Sequence, residues 1–331
     1  QTGDILYDNH SASDVDLNQL RERIGFVTQD TQLFSGTIRE NLQLAAPDAD
    51  EERIEQALAG LGLSERFARF PQGLANGSGL VGKYIMDTVG AKFGGQIPIL
   101  EDLPPQNDDG AGGGHMYMPW WNYAAGRAEQ LGFARGYHVE FGGGQKMPDV
   151  NTGAGMDQLT GGSYGRKFKE DMRRYYCSFV SFASRGEMIP NEHCFAEIDP
   201  TVKDKWGIPV LRFHWQWSEH ELKQAVHAEQ TFAQIVEACG GRAWRAPNTD
   251  GAKAISKGGE IIHEVGGARM GTNPKSSVTN QWGQTWDVKN LFITDGAVFC
   301  SKAHKNPTLT IMALAWRTSE YLLEQLRKGE V

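Results

Sequence analysis

The chain has 331 residues, of which 40% are hydrophobic, and its formal net charge is −8 at pH 7 with a pI near 5.6. A chain of this length can bury a substantial core and has room for about two domains. Its acidic balance argues against nucleic acid or an anionic membrane surface as a partner. No apolar run approaches the roughly 18 residues of a membrane-spanning helix. The chain starts with Gln and shows no signal peptide, so we expect its natural start to lie upstream, and no compartment is indicated.

The four cysteines are far apart in the sequence: Cys177, Cys194, Cys239 and Cys300. Without a CxxC pair they indicate small buried residues rather than a zinc site or a disulfide framework, so we expect no metal. The 40 glycines cluster in loops, which is typical of a ligand-binding α/β protein.

The first 60 residues predict alternating strands and helices. We expect a strand at 5–7, a short helix at 17–22, a second strand at IGFVTQ (24–29) and a helix after Ser35-Gly36. A further helix is predicted over 50–60, where apolar residues recur at helical spacing behind acids in the first turn.

The run LRERIGFVTQDTQLFSGTIRENL (20–42) resembles the nucleotide-binding domain of ABC exporters, and Gln29 falls on the Q-loop glutamine of that family. No GxxxxGK[ST] phosphate loop occurs anywhere, so the backbone cradle for the phosphates and its lysine are absent. We interpret residues 1–70 as an ABC exporter fragment without an ATP site of its own. The stretch FARFPQGL (67–74) is compatible with both this family and the one described next. We therefore expect the similarity to change from one family to the other within about 64–74.

Three C-terminal stretches carry the chemistry: IIHEVGGARMG (261–271), WDVKNLFITDGAVF (286–299) and KNPTLTIMALAWRTSEYLL (305–323). LFITDGAVF predicts a buried strand with a turn at its carboxyl end, and a proline then opens an apolar helix. His263 and Asn306 suit removal of a hydroxyl proton, since imidazole can act as base and the amide can steady an alkoxide. The alternative is a structural histidine and an ordinary Asn N-cap.

These stretches resemble the C-terminal signature of the glucose–methanol–choline (GMC) oxidoreductases, which are FAD enzymes that oxidise alcohols. The resemblance implies that His263 and Asn306 are catalytic. It also implies flavin contacts from the strand end and the helix start, at Asp295, Gly296, Pro307 and Thr308. LANGSGLVGKYIMDTVG (74–90) resembles the segment of that family that covers the flavin.

Residues 115–215 contain short aromatic strand-like runs between glycine-rich connections, which predicts an antiparallel sheet. A capping box at Ser218 and Glu221 then predicts a helix that continues to about Cys239. His214, Trp215 and Trp217 are candidates to lie over a substrate, with core packing as the alternative. GGSYG (161–165) matches a hydrolase nucleophile elbow, but no apolar strand precedes Ser163, which argues against that role.

The fold class is therefore α/β to α+β. We expect a partial FAD-binding domain from 74–100 and 255–331, a substrate domain at 101–254, and the ABC fragment before them. The resemblance implies FAD, a polyol, sugar or sugar-acid substrate, and a protein or quinone as electron acceptor. The GxGxxG loop that anchors FAD in this family is missing, so we expect an incomplete or chimeric enzyme that does not hold FAD as an isolated chain. An ABC transporter ATP-binding fragment and a chimera without function are the alternatives.

Overall fold

The computed structural model describes residues 6–7, 10–11, 16, 42, 46–60, 73–103, 116–121, 127–143, 156–157, 160–176 and 178–331. The chain divides into two compact units, one of residues 1–56 with 199–210 and one of residues 57–198 with 211–331. Within the described ranges, no helix combines the length and the apolar character that crossing a membrane requires. The Q-loop residue Gln29 and the elements predicted at 17–22, at 24–29 and after Gly36 lie outside the described residues.

The strands, in chain order, are β1 (Leu6–Tyr7), β2 (His10–Ser11), β3 (Lys83–Met86), β4 (Lys92–Gln96), β5 (Met116–Trp121), β6 (Tyr137–Gly143), β7 (Phe179–Gly186), β8 (Phe195–Lys203), β9 (Pro209–His214), β10 (Arg242–Ala243) and β11 (Val265–Gly267). The helices are α1 (Glu51–Gly60), α2 (Arg127–Leu131), α3 (Gly165–Tyr175), α4 (Glu219–Ala238), α5 (Gly251–Ala254) and α6 (Thr308–Lys328). The architecture is thus mixed α/β with antiparallel sheets, as the sequence predicts.

In the first unit, β1 and β2 form an antiparallel pair. The helix predicted over 50–60 is confirmed as α1. Asp50 precedes it, and the Asp50 carboxylate accepts a hydrogen bond from the backbone N–H of Arg53 at 2.9 Å. Ile54 is buried, with 3% of its surface exposed. A side-chain cap at the start of the helix and one apolar anchor therefore fix this element locally.

The largest sheet has five antiparallel strands in the order β10-β4-β7-β6-β5, and α4 packs against it. Phe232 of α4 stacks on Phe182 of β7 with ring centroids 5.3 Å apart. The predicted capping box that starts α4 is confirmed, because Ser218 and Glu221 make both of its hydrogen bonds. The aromatic runs that form β6 and β7 thus share a core with this helix, whereas the last run of the predicted sheet forms β9, which belongs to a different sheet.

Two adjacent glycines in β4 allow the chain to pack closely at this core. A Cβ atom on Gly94 would lie 2.6 Å from the carbonyl oxygen of Val180, and one on Gly95 would lie 2.7 Å from Cγ1 of Val236. Neither distance leaves space for a side chain. Backbone and helix therefore approach each other here more closely than any other residue would permit.

The second sheet has four antiparallel strands in the order β11-β3-β8-β9. In it, Val265 pairs with Met86, and Lys83 pairs with Phe195. The residues just after β3 therefore lie beside the residues just before β11. This pairing positions the site described below.

Residues 291–299 do not form the buried strand that the sequence predicts. Phe292 makes only an isolated bridge to Gln284, and a 3-10 helix spans Gly296–Val298. Residues 291–293 are half-buried. A strand needs hydrogen-bonding neighbours along its length, whereas this run bonds 283–285 at its start and the N–H groups of Ala268 and Met270 near its end, where the 3-10 helix interrupts it. The prediction of a buried strand is therefore wrong.

The helix predicted after Asn306 is confirmed as α6 and ends at Gly329, which has a left-handed φ of 69°. Apolar side chains on α6 are exposed at helical spacing: Leu309, Met312, Trp316 and Leu323.

The prediction that the cysteines are buried holds for one of the three described ones. Cys194 is buried, whereas Cys239 and Cys300 are exposed, and all three are free thiols. Cys239 follows the last turn of α4, and Cys300 lies in the loop that leads to α6, so neither faces the core. Cys177 lies outside the described residues.

Candidate functional site

His263 lies where the four-stranded sheet joins the end of β3 to the start of β11. Its Nδ1 atom is 3.2 Å from Oγ1 of Thr88, and its backbone N–H donates to Oδ1 of Asp87 at 3.1 Å. Ile262, just before it, has a left-handed φ of 59°, which is uncommon for a β-branched residue. Asp87 and Thr88 are not among the site residues predicted from the sequence, although a carboxylate directly after the strand KYIM is a visible signal.

Asp87 is fully buried, and its carboxylate accepts hydrogen bonds from backbone N–H groups. Its Oδ1 atom also accepts from the N–H of Thr88 at 2.6 Å. Burial raises the pKa of Asp87, and the hydrogen bonds from surrounding backbone groups oppose that change. Asp87 therefore holds two separate chain segments, the end of β3 and the approach to β11, in fixed positions.

The surroundings of His263 favour its neutral form. Burial lowers the pKa of His263, the positive charges of Lys302 and Arg185 lower it further, and Glu140 and Glu264 act in the opposite direction. A neutral imidazole keeps one nitrogen lone pair available near pH 7. It can therefore accept a proton.

A second group of titratable residues lies in the loop before α6. Lys302 is only 2% exposed, and burial lowers its pKa to about 8. Its ammonium donates to the carbonyl oxygens of Ala303 and Lys305, each at 2.9 Å. Burial, followed by the nearby His138, lowers the pKa of His304 to about 4. This loop therefore carries polar groups in an environment that disfavours positive charge.

Two strands of the five-stranded sheet carry further charged and titratable groups. His138 and Glu140 lie on β6, and Nε of Arg185 on β7 is 3.0 Å from Oε2 of Glu140. The His138 ring centroid is 5.0 Å from that of His304. His138 is buried, and within the described part of the chain neither of its ring nitrogens has a hydrogen-bond partner. The charge of Arg185 lowers the pKa of His263 and that of Glu140 raises it, so these strands contribute to the electrostatics of the candidate base.

The turn at Asp295 and Gly296 packs between the strand after His263 and the first turn of α6. The Asp295 carboxylate accepts from the N–H of Ala297 at 2.8 Å and so caps the 3-10 helix. Gly296 is buried, and a Cβ atom there would lie 3.2 Å from Cγ1 of Val265 and 3.2 Å from Cδ1 of Ile311. Three of the sequence motifs therefore meet at this turn.

Asn306 and Thr308 are exposed, and Pro307 between them is buried. Pro307 is the N-cap of α6, with no side-chain capping hydrogen bond. The interpretation of Asn306 as an ordinary N-cap is therefore wrong. A catalytic role for Asn306 and flavin contacts by Asp295, Gly296, Pro307 and Thr308 stay predictions.

The aromatic candidates of the substrate region have partners within the fold. His214 is half-buried and stacks on Phe195 with centroids 4.1 Å apart, and its Nε2 lies 2.9 Å from Oε1 of Glu197. Trp215 and Trp217 make an edge-to-face pair at 5.1 Å and pack against the core. The core-packing alternative therefore holds for the two tryptophans.

The residues of this site lie in a part of the chain that matches known proteins. Residues 190–315 match the family model described as GMC oxidoreductase, and this range includes His263, Asp295 and Asn306. The C-terminal part of the chain resembles the GMC oxidoreductases. The GMC match ends within α6, so it includes the first two C-terminal stretches of the sequence signature and the start of the third.

Two relatives match more of the chain than this range. A 2-methyl-1,2-propanediol dehydrogenase of Mycolicibacterium austroafricanum is 32% identical over 253 residues, which cover 76% of this chain and 43% of the relative. The large subunit of a fructose dehydrogenase of Gluconobacter japonicus is 30% identical over 271 residues, which cover 79% of this chain and 44% of the relative. The chain thus spans less than half the length of these relatives.

A separate, shorter similarity leads to ABC transporters. A Bacillus subtilis (strain 168) protein described as an uncharacterized ABC transporter ATP-binding protein is 46% identical over 72 residues, which cover 22% of this chain and 12% of that protein. The ABC resemblance seen in the sequence is therefore confirmed for a small part of the chain.

Proposed function

We propose that this chain carries the catalytic end of a FAD-dependent GMC-type oxidoreductase that oxidises a CH–OH group of a polyol, sugar or sugar acid. The observation that carries the proposal is the state of His263, which is held at Nδ1 by Thr88 and kept neutral by burial and by nearby cations. A neutral histidine held in one orientation suits the removal of a hydroxyl proton. The relatives named as alcohol and sugar dehydrogenases support the same reaction class.

The residues present suit the reactive end of a flavin better than its phosphate end. A base, an exposed Asn306 and the N-terminus of α6 lie on segments that meet at Gly296. The described strands pair antiparallel, however, and within the described ranges none runs through a glycine loop into a phosphate-binding helix. We therefore expect FAD to bind this chain weakly, with Asp295, Gly296, Pro307 and Thr308 as its contacts. When bound, the flavin would supply the acceptor for the hydride that leaves the substrate carbon.

In this proposal His263 takes the hydroxyl proton at Nε2 while Thr88 holds Nδ1. Asn306 donates from its amide to the oxygen of the substrate and steadies the negative charge that develops there. Electrons leave the reduced enzyme to a protein, quinone or dye rather than to a nicotinamide.

The test begins with FAD retention. The purified chain is mixed with excess FAD and desalted, and its visible absorbance is compared with that of the untreated chain. Polyol, sugar and sugar-acid oxidation is then measured with an electron-accepting dye, with FAD present throughout. We expect His263→Ala to lower turnover by about 10²–10⁴-fold and Asn306→Ala by about 10²-fold. The matched control is His193→Ala, which removes an exposed histidine and should retain full turnover.

Equal turnover in the wild type and in His263→Ala, at an FAD concentration that shows bound flavin, would make the assignment of the base wrong. A chain that binds no FAD at any concentration would instead favour the chimera without function.

The short ABC relatives favour a second candidate, an ATP-binding fragment. It is opposed by the absence of any GxxxxGK[ST] run in the sequence. Calorimetric titration with ATP and Mg²⁺ separates the two candidates, and we expect no binding heat. A saturable binding isotherm would support the ABC candidate.

A further inference from the structure

Two residues that the sequence did not identify as site residues hold His263 from two directions. Oγ1 of Thr88 is 3.2 Å from its ring nitrogen Nδ1, and Oδ1 of Asp87 is 3.1 Å from its backbone nitrogen. We infer that Thr88 sets the tautomer and ring orientation of His263, and that Asp87 fixes the backbone from which the ring extends. Both are positioning residues, because they act on the base rather than on the substrate. The inference rests on the proposed function only for the role of His263.

The backbone around His263 needs such support. Ile262 has a φ of 59° with its side chain 78% exposed, so little of its own packing stabilises this conformation. Strained residues persist where surrounding contacts over-determine them. Asp87 provides such a contact, because it bonds the residue directly after Ile262 and is itself fully buried.

The contact with Thr88 decides which ring nitrogen carries the proton. In a neutral imidazole only one nitrogen is protonated. With the proton on Nδ1, the ring donates to Thr88 and Nε2 keeps its lone pair for the proton of the substrate hydroxyl. With the proton on Nε2, the hydroxyl of Thr88 donates to Nδ1 and Nε2 cannot accept. We assign the first arrangement, since it keeps the same Nδ1–H donor bond before and after proton transfer and needs no reorganisation.

Thr88 can be tested apart from the charges of the site. The charged and titratable groups that act on the ring are the cations Lys302 and Arg185, the carboxylates Glu140 and Glu264, and Asp87 at its backbone. Thr88→Val keeps the shape of the side chain and leaves all five groups in place. Any change at His263 then reports the lost hydroxyl.

The experiment is an NMR titration of the full chain labelled with ¹⁵N at histidine, with His263→Gln used to assign the His263 signals. In the wild type we expect the neutral form to be protonated at Nδ1. In Thr88→Val the pKa of His263 should fall by about 0.5–1. The Nδ1–H bond to Thr88 is stronger in the charged imidazolium than in the neutral ring, so its loss disfavours the charged form. Thr88→Ser retains the hydroxyl and should restore the wild-type value. The matched control is Thr279→Val, at a buried threonine whose hydroxyl bonds no described group.

Two outcomes would overturn the role of Thr88: a neutral wild-type ring protonated at Nε2, or a pKa that is unchanged or raised in Thr88→Val. If Thr88→Val does not fold, Thr88→Ala replaces it, and the wild-type tautomer decides independently.

The role of Asp87 is tested by hydrogen exchange at the backbone amide of His263. We expect Asp87→Ala to speed this exchange about tenfold or more beyond any change in global stability, because the amide loses its acceptor. Asp87→Asn keeps an acceptor oxygen and should stay near the wild type. Unchanged protection in Asp87→Ala would contradict the role; if that variant does not fold, accelerated exchange in Asp87→Asn would contradict it instead.

None of these measurements requires flavin. A chain that fails to bind FAD leaves the result at His263 intact, and a failure here leaves the oxidoreductase proposal open to its own test.

Discussion

The two long helices of the second unit have similar lengths and opposite surroundings. α4 has 20 residues and α6 has 21. α4 buries an apolar stripe completely: Ala225, Ala228, Phe232 and Val236. On α6, Leu309 is 79% and Trp316 71% exposed, while the buried side chains are the polar Thr318 and Gln325. Apolar spacing along a sequence thus predicts a helix but not what covers it.

The difference matters for stability. Helices in proteins are held mainly by the burial of an amphipathic face rather than by intrinsic propensity. α4 has such burial against the five-stranded sheet, whereas α6 is held along one side, where Ile311 lies beside Gly296 and Tyr321 stacks on Trp282. Three substitutions test this contrast.

The largest effect is expected in the core beneath α4. Phe232→Ala removes a fully buried ring that stacks on Phe182, and it should lower the free energy of unfolding by about 3–5 kcal/mol. Denaturant unfolding of the full chain measures this loss. The control is Phe213→Ala, because Phe213 is 62% exposed and its loss should cost far less. Equal losses in the two variants would mean that the sheet–helix core does not dominate stability.

A smaller effect is expected at the loop that leads to α6. The pKa of His304 falls from 6.5 to about 4, mainly through burial, so the folded state resists its protonation. Stability should therefore be lost as the pH falls from about 6.5 towards 4, by roughly 1–2 kcal/mol after solvent screening. In His304→Gln this part of the loss should disappear, whereas exposed His193→Gln should keep it. Identical pH profiles for His304→Gln and the wild type would show that this ring is not shielded.

The smallest effect is expected on the open face of α6. Trp316 is exposed apart from a bond from its indole N–H to Glu320. Trp316→Ala should change the free energy of unfolding by less than about 0.5 kcal/mol. A loss near that of Phe232→Ala would indicate that this face is covered in solution.

Local signals in the sequence predicted several elements correctly. The capping box of Ser218 and Glu221 identified the start of α4, and alternating aromatics identified β5, β6 and β7. The strand prediction for the run 291–299 is wrong. Its apolar spacing is the same whether or not other segments are available to pair with it. Strand pairing depends on distant segments, and spacing within one segment does not report it.

The site shows the same limit. His263 could be identified from its motif, whereas its contact with Thr88 spans 175 residues of sequence. Only the pairing of β3 with β11 brings them together. His138 and Glu140 occupy alternate positions of β6, as in any strand. Nothing in the local sequence therefore marks them as neighbours of a site.

The adjacent glycines of β4 restrict how this sequence can change over time. Gly94 and Gly95 are closed to every other amino acid, because even one methyl group would collide with Val180 or Val236. Every amino-acid substitution at either position therefore introduces a collision with the backbone or with a packed side chain. Variation in this sheet is therefore expected away from β4, for example at its edge strand β5, while the seam beneath α4 stays fixed.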